Sequence, residues 1–258
     1  MLLIAGVLQK MPAYRLAPTE IHYTAAIKAC EISDQYNLAI SVLEEMKADN
    51  IKRTTATYAA LISVAEKTGH WQEAMDLLDE MMAENIPATT SVFNSCMWAA
   101  DKGGNFEYAL NLLKIMEDKN IARDESTYAA CSWACEKCGE GEVALHVMEL
   151  MKSENIPTNT PTYQAVIWAC VKGGMWEKAL ELFERMEAEG LVRLEGCYNG
   201  AIWACEQGEK WERSIELLKL MKFEGLKRET ISFDGVLSTL QKCNQPDMCL
   251  EVQSIFPA

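Results

Sequence analysis

Apolar and small residues recur along the chain at one fixed interval. Aromatic residues stand 35 positions apart, at Tyr23, Tyr58, Phe93, Tyr128, Tyr163, Tyr198 and Phe233. Methionines keep the same interval from Met11 to Met221, and small residues form a third series at Ala39, Ala74, Ala109, Ala144, Ala179 and Ser214. Three series in one phase identify the chain as a repeat protein.

Each repeat predicts two helices. Residues 162–170 have the apolar spacing of a first helix, and Ala179, Leu182, Phe183 and Met186 follow the i, i+3, i+4, i+7 pattern of an amphipathic second helix. Glycines between the halves fall near one phase, as helix C-caps do, at Gly69, Gly103, Gly104, Gly139, Gly173, Gly174 and Gly208. The sequence has no strand-like alternation, so stacked helix pairs predict a solenoid.

The segment TYQAVIWACVKGGMWEKALELFERMEAEGL, residues 162–191, resembles the pentatricopeptide repeat (PPR) family in its Tyr, Gly, Ala-Leu and Met arrangement. The resemblance implies an all-α fold, a right-handed α-solenoid of 35-residue helix-turn-helix repeats with a concave groove. In the family's phase, residues 1–19 are the second helix of an incomplete leading repeat and residues 230–258 a shortened terminal repeat. The six full repeats between them are 20–54, 55–89, 90–124, 125–159, 160–194 and 195–229.

The leading segment has the apolar positions of a second helix without a first helix before it. Ile4, Val7, Leu8 and Met11 fall one period before the apolar residues of the next second helix. Such a helix exposes its apolar side unless something covers it. We therefore expect either further sequence or a partner chain at this end.

The resemblance also assigns base reading to the residue after each marker aromatic, together with the last residue of the repeat. One repeat of the family can read one base of single-stranded RNA. The Asn94 and Asp124 pair matches a common family combination that is associated with uracil, whereas Ala59 and Ala129 offer no hydrogen bond. We expect readout by a few repeats only, and the candidate pairs are Thr24 with Thr54, Ala59 with Thr89, Asn94 with Asp124, Ala129 with Asn159, Gln164 with Leu194, and Asn199 with Glu229.

A tryptophan stands four residues after the reading position in four successive repeats, at Trp98, Trp133, Trp168 and Trp203. Both positions share one helical face. A row of indoles could stack unpaired bases or bind an apolar protein surface. The alternative is that each indole packs as core between adjacent first helices.

Lysines repeat near the end of the first helices, where the family often contacts phosphates, at Lys67, Lys102, Lys137, Lys172 and Lys242. Acidic residues stand close to this series, including Glu66 and Glu136. The alternative for the lysines is that they complement the helix dipole.

Composition narrows the choice of class. The 258 residues are 49% hydrophobic and 24% charged, which is typical of a folded globular protein. No apolar run approaches the ~18 residues of a membrane-spanning helix. Lys and Arg total 24 against 38 Asp and Glu, so the net charge of −14 disfavours generic binding of polyanions.

The sequence carries no catalytic motif, and we expect neither an enzyme nor a cofactor. Cys131, Cys135 and Cys138 are close in sequence but lack the fourth ligand of a zinc site, so no metal is expected.

The predicted function is a non-catalytic PPR-like binding module, associated with single-stranded RNA in a chloroplast or mitochondrion. The compartment follows from the family resemblance alone, because no transit peptide is visible in the chain. The alternative is an acidic protein–protein scaffold in an organellar complex that does not bind RNA. A positive groove favours RNA, and a negative groove favours a protein partner.

Overall fold

The computed structural model of the chain describes residue 11, residues 16–228 and residues 230–255, except for the side chains at 250, 251 and 253–255. Within these residues the regular structure consists of helices in pairs, with no strand. This confirms the predicted all-α repeat class. The predicted leading helix within residues 1–19, the reading candidate Glu229 and the chain end at 256–258 fall wholly or mostly outside the described residues.

The described helices alternate between first and second members of a pair, and odd labels denote first helices. They are α1 (Glu20–Ile32), α2 (Tyr36–Ala48), α3 (Thr55–Thr68), α4 (Trp71–Ala83), α5 (Thr90–Gly103), α6 (Phe106–Asp118), α7 (Glu125–Cys138), α8 (Gly141–Ser153), α9 (Thr160–Lys172), α10 (Trp176–Ala188), α11 (Glu195–Gln207), α12 (Trp211–Phe223), α13 (Thr230–Lys242) and α14 (Pro246–Ile255). The predicted repeat boundaries, such as 90–124 and 160–194, stay predictions.

The chain divides into two compact bodies, Met1–Ala130 and Cys131–Ala258. The core of the first body contains the marker residues Tyr58 and Phe93 with Met81, all fully buried. The core of the second body contains Tyr163 and Met186 in the same manner. The series that reveal the repeat are therefore core residues, and burial of each large apolar side chain contributes roughly 1.5–3 kcal/mol.

The second residue after each second helix from α2 to α12 has left-handed backbone. Four of these residues are asparagines, and the last two are Gly190 and Gly225. The N–H of the following residue donates to the carbonyl of the series methionine, as from Ile121 to Met116 at 2.8 Å. Asn and Gly tolerate positive φ better than other residues, which explains their presence at this position.

The first helices end as predicted at Gly69, Gly104 and Gly139, which have positive φ. Gly208 differs, because its φ is −85° and the left-handed residue is Glu209, with φ 54°. Gly208 is needed for space instead: a Cβ there would lie 2.5 Å from the Trp176 ring.

Candidate nucleic-acid interface

Asn94 is the reading-position residue with the fullest hydrogen bonding. Its Nδ2 donates to Asp124 Oδ1 at 3.0 Å, and its Oδ1 accepts from Thr127 Oγ1 at 2.7 Å. Asn94 is 8% exposed and Thr127 is fully buried. A carboxylate can only accept hydrogen bonds here, so Asp124 fixes which end of the Asn94 amide faces it. The predicted pair is thus brought together and held in one orientation.

Asp124 has a second role as the N-cap of α7. Its Oδ1 accepts from the backbone N–H of Thr127 at 2.9 Å. Burial of the carboxyl opposes ionisation, but hydrogen bonds from Thr127 and Asn94 outweigh that effect and lower the pKa of Asp124. The side chain is therefore a stable anion at neutral pH.

The other last residues of the repeats occupy N-cap positions as well. Asn159 accepts from the N–H of Thr162 at 3.0 Å as the N-cap of α9, and Thr54 forms a capping box with Thr57 before α3. Thr89 stands at the N-cap position of α5 without a side-chain capping bond. Ser, Thr, Asp and Asn are the preferred N-cap residues. Leu194 occupies the same position before α11, makes no capping bond and is 44% exposed.

Two further reading residues bond to a hydroxyl 33 positions later. Asn199 Oδ1 accepts from Ser232 Oγ at 2.7 Å, and Thr24 Oγ1 lies 3.3 Å from Thr57 Oγ1. Ala59 is half-buried and Ala129 is buried, and neither carries a polar side-chain atom. The Gln164 side chain instead lies against Gly196, where a Cβ would be 2.3 Å from Gln164 Nε2.

All four tryptophans of the row are half-buried. The indole N–H of Trp168 donates to the carbonyl of Gly196 at 2.9 Å, and the ring lies beside Gly200 on the next first helix. Trp203 lies beside Gly235 in the same way, and its buried Nε1 has no hydrogen-bond partner among the described residues. Each of these two indoles therefore packs on the next first helix and keeps part of its surface exposed.

The lysine series is paired with carboxylates. Lys172 Nζ lies 2.7 Å from Glu136, Lys242 Nζ lies 2.6 Å from Glu206, and Lys67 Nζ lies 2.9 Å from Glu31. Lys102 Nζ lies 3.9 Å from the Glu66 carboxylate and donates to the Glu66 carbonyl at 2.6 Å. Lys137 also has an interaction and is exposed.

Acidic residues are evident beside the lysines in the sequence, but this pairing between helices is not. Each lysine reaches the glutamate that stands 36 residues earlier, on the preceding first helix. The positions of two serines in the repeat could have indicated where these glutamates lie. Ser63 and Ser238 occupy the tryptophan phase in other repeats, and they donate to Glu31 and Glu206 at 2.8 and 3.1 Å.

The cysteine cluster does not form a metal centre among the described residues, where no group of three or more His, Cys, Asp or Glu side chains converges. Cys131 and Cys135 are buried and Cys138 is exposed. A hydrogen bond with Cys135, together with burial, raises the pKa of the Cys131 thiol. None of the described helices is long and apolar enough to cross a membrane.

Comparison with known proteins agrees with the resemblance. The model of the PPR repeat matches residues 161–191 and 196–226, and the model of the pentacotripeptide-repeat region of PRORP matches residues 20–143. No curated protein sequence matches the chain significantly. The repeated helix pairs define a helical-repeat protein. The chain belongs to the pentatricopeptide repeat family.

Solved structures show the same fold. The PPR domain of Arabidopsis thaliana protein-only RNase P 1, solved in complex with tRNA, is 15% identical with a TM-score of 0.61, covering 70% of this chain and 95% of that one. Arabidopsis thaliana nuclear protein-only RNase P 2 is 16% identical with a TM-score of 0.64. That similarity covers 74% of this chain, which spans 43% of the nuclear protein.

Proposed function

We propose that this chain is a non-catalytic module that binds single-stranded RNA through its first helices. The observation that carries the proposal is the Asn94 site. A side-chain amide has two N–H donors and a carbonyl with two lone pairs. Asp124 takes one donor and Thr127 takes one lone pair. One donor and one acceptor remain, which complement the O4 and N3–H of uracil.

Family membership and the fold support the same proposal. The PPR domain of protein-only RNase P 1, which shares the fold, was solved with tRNA. Single-stranded RNA offers the unpaired base edges that a directed amide can read. Asn199, which is bonded to Ser232 as Asn94 is to Thr127, is the second candidate for polar readout. The alanines at two other reading positions make no hydrogen bond to a base, so they limit the base-sequence preference of the whole module.

The proposal is tested by fluorescence anisotropy with labelled uridine and cytidine 20-mers. Cytosine reverses the donor and acceptor of uracil, and the fixed Asn94 amide cannot follow that reversal. Asn94→Ala should weaken binding of the uridine 20-mer by ~1–3 kcal/mol, the usual value of one good base contact, and change cytidine binding little. The matched control is Asn111→Ala, which removes an exposed amide from α6. An unchanged ratio of the two affinities in Asn94→Ala contradicts the assignment.

A protein scaffold is the second candidate, and the lysine–glutamate pairs are the observation that favours it. They neutralise cations that would otherwise attract phosphate. An RNA affinity no better than that for inorganic polyphosphate of matched charge would favour the scaffold over the RNA module.

Compartment and catalysis are part of the proposal. An organelle, either chloroplast or mitochondrion, follows from the family resemblance. The fold alone does not indicate the compartment, because protein-only RNase P 2, which has a similar fold, is described as nuclear. Organelle fractionation with an antibody against the native protein tests the location, and incubation with labelled RNA followed by gel analysis tests the absence of cleavage.

A further inference from the structure

The four lysine–glutamate pairs share one spacing along the chain, but only three are close ion pairs. Lys67–Glu31, Lys172–Glu136 and Lys242–Glu206 lie 2.6–2.9 Å apart, whereas Lys102 Nζ is 3.9 Å from the Glu66 carboxylate. In each pair the carboxylate is the more buried partner, with side-chain exposures of 16% for Glu136 and 11% for Glu206. The partner ammonium groups are far more open, with 44% exposure for Lys172 and 49% for Lys242. The glutamates are therefore fixed in the protein, and the lysines reach back to them from the next first helix.

Glu206 and Glu31 are each held by a serine as well as by a lysine. Ser238 donates to Glu206, and Ser63 donates to Glu31. Burial acts to raise the pKa of Glu31, but hydrogen bonds from Lys67 and Ser63 outweigh it and lower that pKa. The serine contacts fix the Glu31 and Glu206 carboxylates independently of their lysines.

Phosphate groups bind proteins largely because lysine and arginine replace their counterions. A lysine already neutralised at 2.6–2.9 Å gains less from a phosphate, since the fixed carboxylate beside it repels the incoming anion. A polyanion without bases contacts these paired lysines through its charge alone, so its binding to them is weak. A single-stranded RNA can add base contacts to the amides and half-buried indoles of the same helices.

We infer that Glu31, Glu136 and Glu206 set the ligand specificity of the first helices on which they lie, because each holds a lysine that would otherwise bind phosphate. They reject polyanions that offer backbone charge alone and admit ligands that also offer bases. The inference rests on the proposed RNA-binding function and adds residues that no base-reading scheme assigns.

The test is the double variant Glu136→Gln/Glu206→Gln in the full chain, with inorganic polyphosphate and a uridine 20-mer as probes. Glutamine keeps the size of glutamate and one acceptor oxygen but removes the charge. Exposed ion pairs are typically worth a few-fold each, so we expect polyphosphate affinity to rise about four- to twenty-five-fold at low salt. Two freed lysines should steepen the salt dependence of RNA binding by about 1.4 in the log–log slope.

The matched control is Glu181→Gln/Glu216→Gln. It makes the same change in net charge on second helices, where the partners are Lys178 and Arg213. Adding Lys172→Gln/Lys242→Gln to the test variant should abolish its gain. Melting curves check folding, and Glu136→Gln alone serves if the buried Glu206 site does not tolerate the change.

The outcomes separate the two proposals. Equal gains in the test and control variants, or no gain in the test variant while the unaltered chain binds the uridine 20-mer, overturn the role of the glutamates and leave RNA binding standing. If neither the unaltered chain nor the test variant binds either probe, both proposals fail. A gain for polyphosphate that vanishes with the lysines supports the inference.

Discussion

The predicted repeats 90–124 and 160–194 use the same two positions for different purposes. In the first, Asn94 and Asp124 are joined to each other, and Thr127 bonds to both of them. In the second, Gln164 extends over Gly196 and Leu194 makes no capping bond. One repeat thus presents a directed polar group, and the other presents an apolar residue at the end of its reading pair.

The two repeats indicate that the last residue of a repeat is selected first as a helix N-cap and only secondarily as a ligand contact. An N-cap residue is worth ~1 kcal/mol, so Asp, Asn and Thr are favoured there without any ligand. The Asn94 site can read a base because its cap also orients the reading amide. Where leucine replaces the cap, as at Leu194, the repeat carries the half-buried Trp168, which is fixed by its bond to Gly196.

The largest loss of stability should come from removing the Trp168 indole from its site against the next first helix. Trp168→Ala removes a half-buried indole and its hydrogen bond to Gly196, and we expect a loss of roughly 2–4 kcal/mol in the free energy of unfolding. Urea denaturation followed by circular dichroism measures it. Trp168→Phe, which keeps an aromatic ring but removes the N–H and part of the indole surface, should lose less, about 1–2 kcal/mol. Surface substitutions usually change the free energy of unfolding by less than about 0.5 kcal/mol. A loss that small in Trp168→Ala would mean that the indole does not pack on the next helix.

Much of this comparison could be predicted from sequence, because the 35-residue period fixes which residues are core and where helices end. The tertiary partners could not, since they depend on the register of one helix against the next. The lysine series illustrates this: Glu136 is next to Lys137 in sequence, whereas the structure pairs it with Lys172 on the next first helix. Thr127 was missed too, although hydroxyl residues at positions 57, 127, 162 and 232 share one phase.

A smaller effect should separate two threonines of that phase. The Thr127 hydroxyl accepts from the Asp124 N–H and donates to Asn94 Oδ1 on another helix, whereas the Thr162 hydroxyl donates to Asn159, the N-cap of its own helix. Replacing a buried hydroxyl by a methyl group leaves its partners unsatisfied, which costs ~1–3 kcal/mol. Thr127→Val should therefore destabilise the chain by about 1 kcal/mol more than Thr162→Val in urea denaturation. Equal losses would mean that Thr127 does not support the Asn94 site.

The smallest effect should come from giving the repeat 160–194 the cap that it lacks. Leu194 is exposed and precedes α11, so Leu194→Asp should add an N-cap and stabilise the chain by ~1 kcal/mol at neutral pH. The Asp124 cap indicates how such a carboxyl titrates, because its hydrogen bonds lower its pKa in the folded chain. A lowered pKa means that the stabilisation is present above the unfolded value, near 3.9, and is lost as pH falls through the folded value. Leu194→Asn is the matched control, since its amide caps the helix without titrating. Thermal melts from pH 7 to pH 2 should show the two variants together at neutral pH and Leu194→Asp falling below Leu194→Asn in acid, and parallel curves at every pH would contradict capping by the new carboxylate.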